Sequence, residues 1–226
     1  MIEYEICAID PEKDLLTLDE RVSRLPEWRR RDALSYLQPI DRLQSAMSYE
    51  LLAELLRKFF GIRPEDLRIE YDGNGKPSVV GRPDIFISLA HCRVVVMAAV
   101  SDCPIGCDIE EIRRPFEQYG KEVMEYCYSP RERALIASAP DSETEFTRIW
   151  TVKESLYKLD NTLDIEHLDT TLFVTNITVG QLGKDLFSNS YAIDNECKSI
   201  FNDKDISSIL THSYSATIAV AGKELL

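Results

Sequence analysis

Three carboxylates and one lysine stand out for their type and spacing. Asp108 and Glu110 lie in Pro104-Ile105-Gly106-Cys107-Asp108-Ile109-Glu110-Glu111, after the apolar run 94–100 and a short turn. Read as a strand, the stretch alternates. Ile105, Cys107 and Ile109 share one face, and Gly106, Asp108 and Glu110 share the other. The two carboxylates then sit roughly 7 Å apart, beside a glycine that leaves room. Such a face suits a hard divalent cation such as Mg2+. It equally suits plain solvent, because paired acids usually face water. The second stretch is 146–159, where Ile149, Val152, Leu156 and Leu159, followed by Leu163, form an apolar stripe at helical spacing. Trp150, Glu154 and Lys158 follow one another at i, i+4 and i+8 on a separate line. A carboxylate and an ammonium thus lie one turn apart at the edge of a buried face. An ordinary exposed pair at that spacing is worth about 0.2–0.5 kcal/mol and no more.

Other polar residues have weaker claims. Arg21, Arg24, Arg29, Arg30 and Arg31 fall within eleven residues. They are either a phosphate anchor, for which the guanidinium fork is well matched, or a solvated helix face with local acid partners. Arg42 and Ser45 lie on the polar side of the first turns of a helix, where its N-terminus favours an anion. Lys76 ends the turn 72–77, a common place for a merely solvated lysine. His91 ends a strand where a loop would open to a ligand, although a lone histidine is more often structural. A zinc site from His91, Cys92, Cys103 and Cys107 lacks the paired spacing of structural zinc.

The elements that must position these residues follow from pattern. Residues 2–9 alternate as a strand, and a helix opens near Pro26. The clearest helix is 41–60, with Leu51, Leu52, Leu55, Leu56, Phe59 and Phe60 as its stripe and Gly61 as its stop. Strands are predicted at 67–71, 84–90, 93–100, 172–179, 190–195 and 214–221. Ser129-Pro130-Arg131-Glu132 is a capping box that starts a helix through Ala137. The run 216–221 echoes 94–100, a hint of duplication into two α/β halves.

Composition bounds the function. The chain has 226 residues, 44% apolar and 29% charged, with net charge −13. That acidity argues against nucleic acid or an anionic membrane as partner. No apolar run approaches the roughly 20 residues of a membrane span, and residues 1–5 do not resemble a signal peptide. The six cysteines read as reduced thiols in a cytoplasm.

Taken in order, five segments resemble motifs of the 4′-phosphopantetheinyl transferase family, in its long, pseudo-duplicated Sfp class. They are Asp41-Arg42-x-x-Ser45, Gly75-Lys76-Pro77, Ile87-Ser88-Leu89-Ala90-His91, Ile105-Gly106-Cys107-Asp108-Ile109-Glu110, and Trp150-Thr151-Val152-Lys153-Glu154-Ser155-Leu156-Tyr157-Lys158. The last two are the specific ones. The chain departs in Cys92-Arg93, where Ser-Gly is common, and in Cys107, a small apolar stand-in. The resemblance implies an α+β fold of two similar α/β halves, 1–103 and 104–226, related by a pseudo-twofold axis. The active site would lie in the cleft between them, with the metal and catalytic motifs in the second half. It implies transfer of the phosphopantetheine arm of coenzyme A to a serine of an apo acyl or peptidyl carrier protein, with Mg2+, by a monomer. It implies that Asp108, Glu110 and Glu154 bind the metal. Glu154 would be general base, and Lys158 would neutralise or protonate the leaving phosphate. Arg42, Lys76, Ser88, His91, Lys153 and Lys158 would hold coenzyme A, with Lys153 and His91 at the pyrophosphate and Arg42 at the 3′-phosphate. The segment 161–184 would help to dock the carrier. A non-catalytic coenzyme A or carrier-binding relative is the main rival; the intact set of acids and lysines argues against it.

Overall fold

The structure, a computed structural model, describes residues 1–112, 120–160, 170, 189–191, 204–210 and 214–221. They form two compact units, Met1–Asp102 and Cys103–Leu226. In the first, β1 (Ile2–Ala8) leads through α1 (Pro11–Asp14), a 3-10 turn (Leu15–Thr17), α2 (Leu18–Arg24) and α3 (Glu27–Ser35) to α4 (Pro39–Phe60). Four strands follow: β2 (Ile69–Tyr71), β3 (Pro77–Val79), β4 (Phe86–Cys92) and β5 (Val95–Ser101). The sheet is antiparallel, in the order β1-β5-β4-β3-β2.

Helix α4 starts two residues before the predicted 41–60, because Pro39 suits a first turn whose N–H groups have no helical acceptor. It ends at Gly61, which takes φ 67° and donates its N–H to Leu56 O. Leu52, Leu55 and Leu56 are buried against Ile85, Ile87, Ala98 and Val100, with Leu51, Phe59 and Phe60 packed at the margin. Leu43 and Met47 meet Val96 and Ile9. Helices α1 and α2 have no strong periodic stripe, and the sequence reading did not place them.

The second unit holds β6 (Ile105–Glu111), α5 (Gly120–Cys127), α6 (Pro130–Ser138), α7 (Ser142–Leu159), β7 (Asn189–Tyr191), β8 (Lys204–Leu210) and β9 (Tyr214–Ala221). Its antiparallel sheet runs β6-β9-β8-β7. The capping box is realised in both directions: Ser129 Oγ accepts the Glu132 N–H, and the Glu132 carboxylate accepts the Ser129 N–H. Helix α7 begins four residues before the apolar pattern at 146, because the Asp141 carboxylate accepts the N–H groups of Glu143 and Thr144. Ile149, Val152, Leu156 and Leu159 are buried, as the stripe requires. The predicted strand 172–179 and most of the segment 161–184 lie outside the described residues. Both units set helices on antiparallel sheets, a mixed α+β architecture. No described helix is long and apolar enough to cross a membrane.

Candidate functional site

The site in the second unit is made where α7 lies on β6. A Cβ built on Gly106 would meet Ser155 O at 2.1 Å, Leu159 N at 2.4 Å and Lys158 C at 2.9 Å. All three are backbone atoms of α7, so only glycine lets helix and strand approach this closely. Gly106 thereby identifies the strand face turned to α7, and Asp108 and Glu110 share it by period two. In register across from them on β9 stand Thr217 and Ser215. Their hydroxyls lie 2.9 and 3.2 Å from Thr151 Oγ1 of the helix, and Ser155 Oγ donates to Thr217 O at 2.9 Å. These buried hydroxyl contacts, invisible to apolar periodicity, register α7 on the sheet.

The close approach brings Lys158 Nζ to 2.7 Å from Asp108 Oδ1. The Asp108 side chain is 6% exposed and the Lys158 side chain 28%. Burial works to lower the Lys158 pKa, but Asp108, then Cys107 and Glu154, outweigh it and hold the ammonium above its ordinary value. Glu154, half-buried one turn earlier, has its pKa raised by burial and by the Asp108 charge, with Lys158 pulling the other way. Glu110 is half-buried on the same strand. Tyr128 borders this group: its ring stacks at 4.7 Å from Phe146 and 6.2 Å from Trp150. Its hydroxyl pKa is pushed up by burial and then by Glu132, Cys127, Glu110 and Glu154.

The donor chemistry fits a hard cation: Asp108, Glu110 and Glu154 offer only carboxylate oxygen, and Asp108 and Glu154 act on one another electrostatically. Among the described residues, however, no three His, Cys, Asp or Glu side chains are gathered into a ready-made cage.

Lys153 departs from expectation. The resemblance puts it on the pyrophosphate. In the structure it is fully buried, with Nζ 3.0 Å from Glu132 Oε2, itself fully buried. The physical reason is helical rotation. Lys153 is turned about 100° from Glu154, toward α6 and away from the Asp108 face. Glu132, read from sequence only as a capping residue, was missed as its partner; nothing in the spacing links positions 132 and 153.

In the first unit, Arg42 is half-buried and donates Nε–H to Tyr36 O at 2.8 Å. Ser45 does not sit on the polar side as predicted. It is buried and accepts from the buried Arg29, whose guanidinium lies 2.8 Å from Ser45 Oγ and 2.9 Å from Ser45 O. Arg24 pairs with Glu20 and Arg31 with Glu27, both at i, i+4 on exposed helix faces. Arg21 pairs with Asp14 and Glu50, and Arg30 donates to Ser23 O and Leu25 O. Lys76 is half-buried at the end of a turn closed by Asp72, with Gly75 at φ 82°. Strand β4 runs to Cys92, so His91 lies within it, exposed, while Ser88 is buried. The alternation puts Ile87, Leu89 and His91 on the face toward α4 and Ser88 on the opposite one.

Comparison with known proteins points to one family. Residues 104–194 match the model of the 4′-phosphopantetheinyl transferase superfamily. Over 122 residues the chain is 31% identical to the 4′-phosphopantetheinyl transferase psf-1 of Bacillus pumilus, covering 53% of this chain and 51% of that protein. It is 27% identical over 133 residues to the 4′-phosphopantetheinyl transferase HetI of Nostoc sp., covering 55% of each. With the 4′-phosphopantetheinyl transferase Sfp of Bacillus subtilis it shares 27% identity over 110 residues, 48% of this chain and 47% of that one. The chain thus spans about half the length of these curated relatives.

Proposed function

We propose that the chain is a 4′-phosphopantetheinyl transferase of the Sfp class, the family its sequence is similar to, and that it moves the 4′-phosphopantetheine arm of coenzyme A to a serine of an apo carrier protein, releasing adenosine 3′,5′-bisphosphate. The observation that carries this reading is the meeting of Asp108, Glu154 and Lys158 where Gly106 lets α7 touch β6.

The reaction joins the serine oxygen to the β-phosphate of coenzyme A and breaks that phosphorus's bond to the bridging pyrophosphate oxygen. Its demands are alignment and neutralisation of charge. Glu154 takes the serine proton, directly or through a water. In the metal-free protein, burial and Asp108 hold its pKa above the ordinary carboxylate value. Lys158, kept charged by Asp108 and Glu154, neutralises the departing phosphate and can return a proton to it. Asp108, Glu110 and Glu154 are the residues that would hold Mg2+, which when bound withdraws charge from the pyrophosphate oxygens. In the first unit, Arg42 is assigned to the 3′-phosphate, Lys76 to the nucleotide end, His91 to the pyrophosphate, and Ser88 to coenzyme A.

The two units are further read as copies of one design related by a pseudo-twofold axis. What supports this is that each packs one long helix on an antiparallel sheet. A chain with both copies is read as a monomer working in the cytoplasm.

Incubation with coenzyme A, Mg2+ and an apo carrier, followed by intact-mass measurement, tests the function. The carrier is expected to gain one phosphopantetheine arm. Coenzyme A hydrolysed without transfer would mean a hydrolase, and binding without change a non-catalytic relative; either result sinks the proposal.

A further inference from the structure

Lys153 neighbours Glu154 in sequence but serves another part of the unit. Glu154 and Lys158 are one turn apart on one side of α7; Lys153 is directed to α6. Its ammonium lies 3.0 Å from Glu132 Oε2, with neither side chain exposed, and 5.7 Å above the centre of the Tyr128 ring. Glu132 has further obligations. Oε2 accepts the Ser129 N–H at 2.7 Å. Oε1 accepts the Thr170 N–H at 2.7 Å and the Thr170 hydroxyl at 2.5 Å. One buried carboxylate thus ties the start of α6, the middle of α7 and residue 170 into a single joint. Its hydrogen bonds are directional, as apolar packing is not, so the joint resists rotation of α7 about its own axis. An ammonium with no exposed surface does not meet a pyrophosphate unless it abandons that carboxylate, at the cost of a buried unpaired charge.

We propose that Glu132 and Lys153 are positioning residues. Their buried pair sets the rotation of α7 so that Glu154 and Lys158 face Asp108, and Lys153 does not touch coenzyme A. The proposal rests on the transferase reading above.

The test compares wild type, Lys153→Met, Glu132→Gln, the double variant and Thr170→Val. The measurements are kcat and KM for coenzyme A, coenzyme A affinity by calorimetry, and thermal melts. Misplacing the base helix is expected to lower kcat by about 10²-fold in each charge variant, with coenzyme A affinity within about twofold of wild type. The double variant is expected to be no worse than the worse single, because both remove one joint. Thr170→Val removes one hydrogen bond and no charge, so it reports even if the charge variants melt below the assay temperature. It is expected to lower kcat severalfold with affinity unchanged. The proposal is overturned if Lys153→Met weakens coenzyme A tenfold or more while Glu132→Gln does not, if the losses add, or if Thr170→Val leaves kcat untouched. Wild type that binds coenzyme A but transfers nothing sinks the transferase reading. The claim about Lys153 is then judged by the affinity of Lys153→Met alone.

Discussion

Helix α7 carries two lysine–carboxylate pairs five residues apart, and they differ in kind. Lys153–Glu132 spans 3.0 Å with no exposed surface on either side chain. Lys158–Asp108 spans 2.7 Å with 28% of the lysine side chain exposed. The shorter pair is the more open one, so distance does not sort them; accessibility does. Around Glu132, Ser129 and Thr170 occupy the oxygens and fix the carboxylate. Around Asp108, the neighbour is a second carboxylate, Glu154, whose charge opposes that of Asp108 and is balanced in part by Lys158. A closed pair with its hydrogen bonds filled is a joint. An open pair beside a like charge can exchange partners, which a group handling phosphate and metal must do.

The sharpest way to break this comparison is to remove each ammonium in turn. Lys158→Met is expected to lower transfer by about 10²–10⁴-fold, the range for a lost proton donor. It leaves the buried Asp108 carboxylate without its countercharge, so its stability cost should be about 1–3 kcal/mol, held below that of a fully buried pair by the partial solvation of the lysine. Lys153→Met leaves a carboxylate buried without its countercharge and is expected to cost about 3–5 kcal/mol of stability. Urea melts and transfer rates on the same preparations check both. Equal stability losses would erase the distinction between joint and working pair.

The legible parts of the molecule were those coded by short-range pattern. The α4 stripe with its Gly61 stop, the Ser129–Glu132 box and the alternation of β6 can each be read within one element. What was not legible crosses elements. Lys153 and Glu132 are 21 positions apart, and each looked ordinary alone. Thr151 and Ser155 interrupt no apolar stripe, yet their hydroxyls register α7 against Thr217 and Ser215. Ser45 looked solvent-facing because polar residues usually are, but Arg29 follows it into the interior. Helix α2 and strand β8 lack the periodicity that announces an element, and neighbours decide their conformation. In the site, the acids and Lys158 were visible as types at a spacing. Which lysine turns toward the acids of β6 depends on rotation about α7, and only packing shows that.

Gly106 joins the two ends of the comparison, because it permits the helix to lie low enough for Lys158 to reach Asp108. Gly106→Ala places a methyl carbon against backbone atoms at 2.1 and 2.4 Å, which a rotamer change cannot relieve. The helix must lift, at about 1–3 kcal/mol or somewhat more. Loss of transfer should exceed loss of stability, since the Lys158 end moves while the Glu132 joint holds. A variant that folds and transfers like wild type would show that α7 does not need this contact.

The smallest effect is a titration, and its sign is specific. Burial and Asp108 raise the Glu154 pKa from 4.5, and Lys158 is the charge that restrains the rise. A raised carboxyl pKa means that the folded protein binds this proton more readily than the unfolded chain. Its contribution therefore lowers stability as pH climbs from 4.5 through the folded value. Lys158 runs the other way: its raised pKa stabilises the fold below 10.5 and that contribution fades as pH rises beyond it. Carbon-detected titration of the glutamate carboxyls in metal-free protein is expected to find Glu154 above 4.5 and to find it higher still in Lys158→Met. Adding Mg2+ should draw it down, because a cation favours the ionised form. If Lys158→Met lowers the value instead, the ammonium does not act on Glu154, and the open pair loses the charge balance that distinguishes it from the closed one.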